Sequence, residues 1–401
     1  MPRGLSAEFF NSVSGFSSRE WNSVAAGSSL FLSAEFLSAF EQAADPNVSF
    51  WYAVIREKQQ AVGVVCFQVI TLAADEIVKI LKPAVSAAGF LGSGTTFSGI
   101  VGKLREEKGM RILICGNNFI SGEYCVAVKK EYDAEKIYRA IPPVVKYITG
   151  HDRSRAKISA ILVKDFFEKK KEHPSSSLKK KRYHRFMVEP EMVVDIRSEW
   201  KTFGDYLESM SKKYRNRAKK VMKDTETVVC EEWGIEKIAA HEEKIYSLYM
   251  NVHARAKFRL APLGKNYFSA MKNAFPGKFR LHVYLVGGEP VAFRSSFLLK
   301  SHLEAHFIGL DYDANERNPL YQRILYDFVN EGITSPVPSV YLGRTASEIK
   351  STVGAVAHDL VCYIRHRNSL SNQLIRPFIE YLKPSEWIPR NPFKAETVGT
   401  D

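Results

Sequence analysis

The chain has 401 residues, of which 45% are hydrophobic and 12% aromatic, and its formal net charge is +13. This length favours two domains over one compact core, and the composition excludes global disorder. No run of about 18 apolar residues occurs, which argues against a membrane-spanning helix, and no secretory signal is predicted. The positive charge favours polyanionic partners such as nucleic acid, anionic lipid or phosphorylated small molecules.

The cysteines argue against a disulfide framework and against a zinc site. They are odd in number and widely spread, and none lies in a CxxC pair: Cys66, Cys115, Cys125, Cys230 and Cys362. This usage is typical of a reducing compartment, so we expect a cytoplasmic protein.

The first half reads as helices, a hairpin, a third strand and a helix. The pattern "SLFLSAEFLSAFEQA" predicts a helix, and "FWYAVIREKQQAVGVVCFQVI" predicts two apolar strands around a polar turn. The segments "MRILICGNNFISGEYCVAV" and "DAEKIYRAIPPVVKYI" then predict a strand and a helix. This order is typical of an α+β layered domain.

Residues 165–185, "DFFEKKKEHPSSSLKKKRYHR", mark a domain boundary. They are polar, with Pro174 and three serines between two lysine runs. A solvated linker is the favoured interpretation of these runs, and a localisation signal is the alternative. We therefore place an N-terminal domain at 1–165, a basic linker at 166–192, a C-terminal domain at 193–385 and a tail at 386–401.

A strongly basic helix opens the C-terminal domain. Seven of the twelve residues from Lys212 to Lys223 are Lys or Arg. One apolar stripe with spacing i, i+4, i+7, i+11 and i+18 runs through Phe203, Leu207, Met210, Tyr214 and Val221. The spacing predicts one helix of roughly 20 residues with a buried side, so that its cations are fixed on a folded body. A solvated face remains the alternative to a binding role.

The second half repeats the plan of the first. The segment "FRLHVYLVGGEPVAFRSSFLL" predicts a hairpin around Gly287-Gly288. It follows the helical pattern "HEEKIYSLYMNVHARA" and precedes the strand "HLEAHFIGLDYD" and the helix "NPLYQRILYDFVNEGI". The repeated order indicates an internal duplication at about half the chain length.

Two segments of the second half carry chemistry. In "HLEAHFIGLD", alternation places His302, Glu304 and His306 on one face of a strand, which is typical of an acid–base site. Alternate side chains stand about 7 Å apart, which argues against a metal site. Further on, "YLGRTASEIKSTVGAVAHDL" clusters Arg344 and Lys350 with Ser and Thr donors that suit a phosphate or carboxylate. Hydrogen-bonded polar residues and capping donors are the structural alternatives for both segments.

The order of these segments resembles the GNAT N-acetyltransferase superfamily, and within it the group related to Fem-type peptidoglycan aminoacyltransferases. The motifs are "FGDYLESMSKKYRNRAKKVMKD", "VYLVGGEPVAFRSSFLL", "FIGLDYDANERNPLYQRILYDFVNEGI" and "LGRTASEIKSTVGA". The resemblance covers residues 195–368 well and residues 20–150 only by plan. It implies two tandem GNAT-like domains, each a mixed, mostly antiparallel sheet with helices on both faces.

The resemblance also implies a function. It implies direct transfer of an acetyl or aminoacyl group to an amine of a phosphate-bearing or peptidoglycan-related substrate in the bacterial cytoplasm. The donor would be acyl-CoA, such as acetyl-CoA, or aminoacyl-tRNA, with no metal. "HLEAHFIGLD" would be the strand that splays beside the donor, with Glu304 or His306 as general base. Residues 315–320 would stand at the pyrophosphate loop, where "NERNPLY" offers Arg317 but lacks the glycines of the usual pattern.

We therefore predict an enzyme with Glu304 and His306 as catalytic groups. The substrate- or anion-binding residues would be Lys212, Lys213, Arg215, Arg217, Arg259, Tyr267, Arg317, Arg344 and Lys350, of which Arg259 and Tyr267 would line the acceptor side. The alternative is a non-catalytic protein that holds RNA or contacts an anionic membrane surface with its basic face.

Overall fold

A computed structural model describes two compact units, each discontinuous along the chain. Unit 1 comprises Met1–Val188, Phe258–Gly264 and Asp359–Pro384, and unit 2 comprises Glu189–Lys257, Lys265–His358 and Ser385–Asp401. Within these bounds the structure describes residues 1–25, 27–73, 75, 77–78, 109–154, 156–170, 174–256, 261–373, 375, 379–380, 383–384 and 386–394.

The helices and strands follow in chain order. Up to residue 195 they are β1 (Leu5–Phe10), α1 (Ser18–Ala25), α2 (Ala34–Gln42), β2 (Val48–Glu57), β3 (Gln60–Leu72), β4 (Met110–Cys115), β5 (Val126–Val128), α3 (Ala134–His151), β6 (Ile158–Phe167), α4 (Ser175–Lys179) and β7 (His184–Asp195). Beyond residue 195 they are α5 (Phe203–Ser209), α6 (Lys212–Asp224), β8 (Val229–Glu232), α7 (Ile235–Ala240), α8 (Glu242–Arg255), α9 (Tyr267–Ala274), β9 (Phe279–Val286), β10 (Glu289–Leu298), β11 (Leu303–Leu310), α10 (Tyr312–Arg317), α11 (Leu320–Thr334), β12 (Ser339–Tyr341), α12 (Ser347–Ser351), β13 (Val356–His366) and α13 (Ser369–Gln373). Short 3₁₀ turns at Val13–Gly15 and Leu30–Leu32 complete the first part.

The two units share one sheet plan. In unit 1 the strands run in the order β1-β2-β3-β4-β6-β13, with β5 beside β3, and in unit 2 in the order β7-β12-β11-β10-β9-β8. Each sheet has one parallel pair, β4 with β6 and β11 with β12, and the other recorded pairs within each unit are antiparallel. The predicted α+β fold with two tandem, mostly antiparallel sheets is confirmed.

Both predicted hairpins are present, and each has a two-residue turn with positive φ at both residues. The two residues between β2 and β3, Lys58 and Gln59, have φ of 47° and 70°. Those between β9 and β10, Gly287 and Gly288, have φ of 59° and 87°. Positive φ at both central residues matches the twist of the flanking strands, and glycine adopts it without a Cβ clash.

Helices cover both faces of each sheet. In unit 1, Ile137 of α3 packs so closely on β3 that a Cβ at Gly63 would lie 2.9 Å from it. On the other face, Trp21 and Phe40 pack against Tyr52 and Phe50 of β2.

In unit 2, the core on one face joins Ala292 of β10 to Ile324 and Phe328 of α11. On the other face, Phe268 of α9 packs edge-to-face on Phe293. Ala292 and Phe293 lie on opposite faces of the sheet, so they pack against helices of two different layers.

The end of the predicted linker is a strand. Residues 184–195 form β7, and residues 189–195 belong to unit 2, where β7 pairs with β12 through Asp195, Val194 and Val193. The polar lysine runs that precede this strand led to the prediction of a linker, and the alternation of apolar residues within the strand was not recognised. The predicted domain boundaries themselves stay a prediction.

The prediction of a single basic helix is wrong in one respect: two helices, α5 and α6, take its place. Met210 between them is extended, with φ −76° and ψ 150°. The Ser211 N–H donates to the Pro392 carbonyl at 2.9 Å, and the Lys394 N–H donates to the Ser209 carbonyl at 3.0 Å. These bonds satisfy backbone groups that a continuous helix would have used itself, and their partners lie about 180 residues away in sequence.

The predicted apolar stripe does reach the core. Met210 and Val221 are buried there, and Phe203, Leu207 and Tyr214 pack against the same core of unit 2.

Residues 386–394 form a strap that unit 2 holds by an aromatic anchor. Phe393 lies 5.4 Å from the ring of Trp200 and 6.2 Å from that of Tyr206, and the Arg197 guanidinium lies 4.5 Å from its centroid. Among the described residues, no helix is long and apolar enough to cross a membrane.

We expect Phe393→Ala to loosen the strap. Truncation of a partly buried aromatic anchor should lower the free energy of unfolding by about 1–3 kcal/mol. It should also speed hydrogen exchange at the Ser211 amide, which depends on Pro392. Ile388→Ala is the matched control, because Ile388 is 59% exposed on the same strap. Equal exchange rates in both variants would contradict the anchoring role.

Candidate active site in unit 2

The two parallel strands of unit 2 separate after a very short contact. β11 and β12 pair only at Leu303 with Val340 and at Glu304 with Tyr341. Beyond this point β12 ends, whereas β11 continues to Leu310. The recorded pairing of β11 with β12 therefore ends at Glu304.

Glu304 is a buried carboxyl. It is 2% exposed, and burial raises its pKa well above the usual range of a glutamic acid. Its Oε2 lies 3.1 Å from His302 Nε2, and burial lowers the pKa of His302 to about 4. Burial therefore disfavours the charged form of both groups, and a protonated carboxyl could donate its O–H to the imidazole.

A second buried carboxyl, Glu191 of β7, lies close enough to Glu304 to interact with it electrostatically. Glu191 is 1% exposed, and burial, followed by the proximity of Glu304, raises its pKa to about 8. Neither Oε1 nor Oε2 of Glu191 has a hydrogen-bond partner among the described residues. The Gly343 N–H is near enough to favour the charged form without reaching hydrogen-bonding geometry. Such an orphaned buried carboxyl is costly and is typical of functional sites.

Lys350 supplies the buried positive charge of the cluster. Its Nζ donates to the carbonyls of Gly343 at 3.0 Å and Arg344 at 2.7 Å. Burial lowers its pKa to about 8, an effect that Glu191 opposes and Arg344 reinforces. The predicted anion-binding pair Arg344 and Lys350 therefore lies close to Glu191, although the Lys350 ammonium itself is bound to backbone carbonyls.

His306 belongs to a different set of contacts from Glu304. Its Nε2 lies 2.7 Å from the hydroxyl of Tyr267, which is fully buried. Burial lowers the pKa of His306 to about 3, so the ring is neutral. The structure thus joins two predicted site residues, His306 and Tyr267, and gives Glu304 a separate partner.

The predicted cations of α6 divide into two groups. Lys213 and Arg217 line a pocket of about 640 Å³, together with residues of α12 and of the strap. Lys212 and Arg215 do not line this pocket. The Arg217 Nε also donates to Gln322 of α11 at 3.2 Å, which places Arg217 at the first turn of that helix.

Two predicted site residues, Arg317 and Arg259, remain. Arg317 is the exposed last residue of α10, a helix where the resemblance implies a loop. Arg259 lies outside the described residues. In the part of the chain that the structure describes, no group of three or more His, Cys, Asp or Glu side chains is arranged to hold a metal ion.

Sequence reasoning missed Glu191 and the strap. Glu191 stands in "VEPEMVVD", a strand pattern in which a carboxylate occupies a position where an apolar residue is expected. This departure from the pattern could have indicated a functional residue. The strap residues Trp387 and Arg390 carry no local signal, because their role depends on contacts with residues far away in sequence.

Comparison with known proteins agrees with this architecture. Residues 209–350 match the family model of an acetyltransferase (GNAT) domain. The crystal structure of FemX matches with a TM-score of 0.54 and 10% identity over 92% of this chain and 99% of that one. A tandem GNAT protein from the clavulanic acid biosynthesis pathway, solved without AcCoA, matches with a TM-score of 0.52 and 10% identity over 90% and 99%. No curated protein sequence matches the chain.

The duplicated sheets and the separating parallel strands define a tandem acetyltransferase-like fold. The match to the acetyltransferase (GNAT) domain model lies in the second half of the chain, at residues 209–350, and the fold of the chain is similar to that of FemX.

The raised pKa of Glu191 makes folding stability depend on pH. The folded chain keeps this proton up to about pH 8, whereas the unfolded chain loses it near the ordinary value of 4.5. The unfolded chain then binds fewer protons between these values, so the free energy of unfolding contributed by this group falls as pH rises. The titratable and charged neighbours are Glu189, His302, Glu304, Tyr341, Arg344 and Lys350.

We therefore expect Glu191→Gln to gain stability relative to wild type as pH rises from 5 to 8, as read by chemical denaturation. The lowered pKa of Lys350 acts mainly between its folded value of about 8 and its ordinary value of 10.5, above this window. Glu189→Gln, on the same strand, is the matched control for the loss of a carboxyl. A Glu191→Gln curve that runs parallel to wild type would show that the Glu191 carboxyl is already ionised.

Proposed function

We propose that the chain is an N-acyltransferase that moves an acyl group from acyl-CoA to an amine of a phosphate-bearing or cell-envelope substrate. The observation that carries the proposal is the position of Glu304, at the last paired residue before β11 and β12 separate. A donor carbonyl placed beyond this pair would lie beside the part of β11 that β12 does not pair, where backbone N–H groups can polarise it.

Transfer requires an uncharged amine, so one proton must leave the incoming ammonium group. The nitrogen then attacks the acyl carbon, the C–N bond forms and the C–S bond breaks; the coenzyme leaves as a thiolate, which takes up the proton that the nitrogen loses on attack. Glu191, which interacts electrostatically with Glu304 and has a pKa raised to about 8, can accept the ammonium proton in its ionised form and so act as the general base. Their titration belongs to the pair, because each carboxylate disfavours ionisation of the other.

Tyr267 and His306 give the site a second polar group. Both are neutral, and their hydrogen bond fixes the imidazole ring. We assign this pair to positioning the acceptor amine, because a ring with a pKa of about 3 accepts a proton poorly at pH 7.

A second function has one specific observation in its favour. α10 covers part of the segment 315–320, where the resemblance implies a Gly-rich pyrophosphate loop, and a helix there favours a binding protein that has lost catalysis. Such a protein would hold RNA or an anionic membrane with its basic face and would show steeply salt-dependent affinity without turnover.

Transfer of a labelled acetyl group from acetyl-CoA by the purified chain tests the enzyme, with aminoacyl-tRNA as a second donor. We expect the double variant Glu304→Gln, His306→Ala to lose on the order of 10²-fold or more in kcat, the range of general acid–base catalysis. Glu316→Gln is the matched control, because Glu316 is an exposed carboxyl of α10.

Full turnover in the double variant would remove the acid–base assignment. No turnover with either donor, combined with salt-dependent RNA or vesicle binding, would favour the binding protein instead.

A further inference from the structure

We propose that the pocket between α6, α12 and the strap binds a nucleoside phosphate, and that side-chain cations hold its phosphates in place of backbone amides. The pocket measures about 640 Å³, within the usual range for small-molecule sites. The assignment of this ligand as part of the acyl donor rests on the proposed function, whereas nucleoside phosphate binding itself does not.

The backbone of α11 is poorly placed to bind phosphate. A helix N-terminus ordinarily offers several N–H groups to an anion. Here the Leu320 N–H donates to the Asn318 carbonyl at 2.5 Å, and the Tyr321 N–H donates to Asn315 Oδ1 at 2.9 Å. Two donors of the first turn are thus already satisfied, so an anion at this end needs another source of donors.

The cations of α6 are that source. Lys213 and Arg217 stand one helical turn apart and both line the pocket. Among the described residues, no carboxylate lies within ion-pair distance of either side chain. Because Arg217 also bonds to Gln322 in the first turn of α11, the cations lie next to the positive end of that helix dipole.

Ser347 adds a donor that lacks a partner. It is 5% exposed and lines the pocket, yet its Oγ has no hydrogen bond within the part of the chain described. A buried hydroxyl normally has a partner, so this one is accounted for by a ligand oxygen.

The strap supplies an aromatic wall. Trp387 lines the pocket, and so does Tyr214, whose ring lies 5.6 Å from the Lys213 ammonium. Stacking of a base on an aromatic ring is typically worth about 1–3 kcal/mol. An aromatic wall beside two cations suits a nucleoside phosphate better than inorganic phosphate.

Two carboxylates also line the pocket, and neither opposes this assignment. Glu348 pairs with Arg390, whose Nε lies 3.1 Å and whose Nη2 lies 2.5 Å from Oε1. Glu189 interacts electrostatically with Lys350. The charges of Lys213 and Arg217 therefore remain available to a ligand.

Calorimetric titration of the full chain with ADP, pyrophosphate, adenosine and CoA tests the proposal. We expect ADP and CoA to bind and Lys213→Ala, Arg217→Ala to weaken both by about tenfold or more, as the loss of charge-assisted bonds implies. Trp387→Ala should weaken ADP and leave pyrophosphate within about twofold, as expected when only base stacking is lost. Lys219→Ala is the matched control, because Lys219 is an exposed cation of the same helix outside the pocket.

Three results would overturn the proposal: no ADP binding, equal weakening by Lys219→Ala, or pyrophosphate binding that matches ADP in strength. The mutated cations are exposed, so these variants should fold, and their melting temperatures check this. The outcome is independent of catalysis. ADP binding without acyl transfer would support the nucleoside phosphate pocket and contradict the proposed acyltransferase activity. Acyl transfer with an unchanged KM for the donor in the pocket variants would support the activity and contradict the pocket.

Discussion

Two carboxyls and one ammonium group are buried together in unit 2, and the candidate site depends on this arrangement. Glu191, Glu304 and Lys350 are each at most 5% exposed. A buried charge is strongly disfavoured unless it is paired, so burial raises the pKa of both carboxyls and lowers that of Lys350. Glu191 and Lys350 thereby both have a pKa of about 8, a range that suits the proposed proton transfer from an amine.

The same region links the fold to binding. β11 and β12 separate directly after Glu304, α12 carries both Lys350 and Ser347, and α6 brings its cations to the first turn of α11. The basic helix is therefore neither a free nucleic-acid arm nor a uniformly solvated face. Part of it faces a pocket, and the rest does not line it.

Local patterns predicted much of the fold, because hairpins, amphipathic helices and strand alternation depend on neighbouring residues. The Gly287-Gly288 turn, the helix at Leu320–Thr334 and the duplication are examples. The break at Met210 and the pocket wall at Trp387 were not predictable, since long-range contacts determine both. In the site, alternation identified Glu304 and His306 but not their different partners, which depend on the side chains of β7 and α9.

Titration of the glutamate carboxyls by carbon NMR, with and without bound acyl-CoA, tests the central claim most directly. We predict one carboxyl resonance that titrates near pH 8, disappears in Glu191→Gln, shifts in Glu304→Gln and responds to the donor. If every glutamate carboxyl titrates in its ordinary range, near 4.5, the buried proton site does not exist and the proposed chemistry is contradicted.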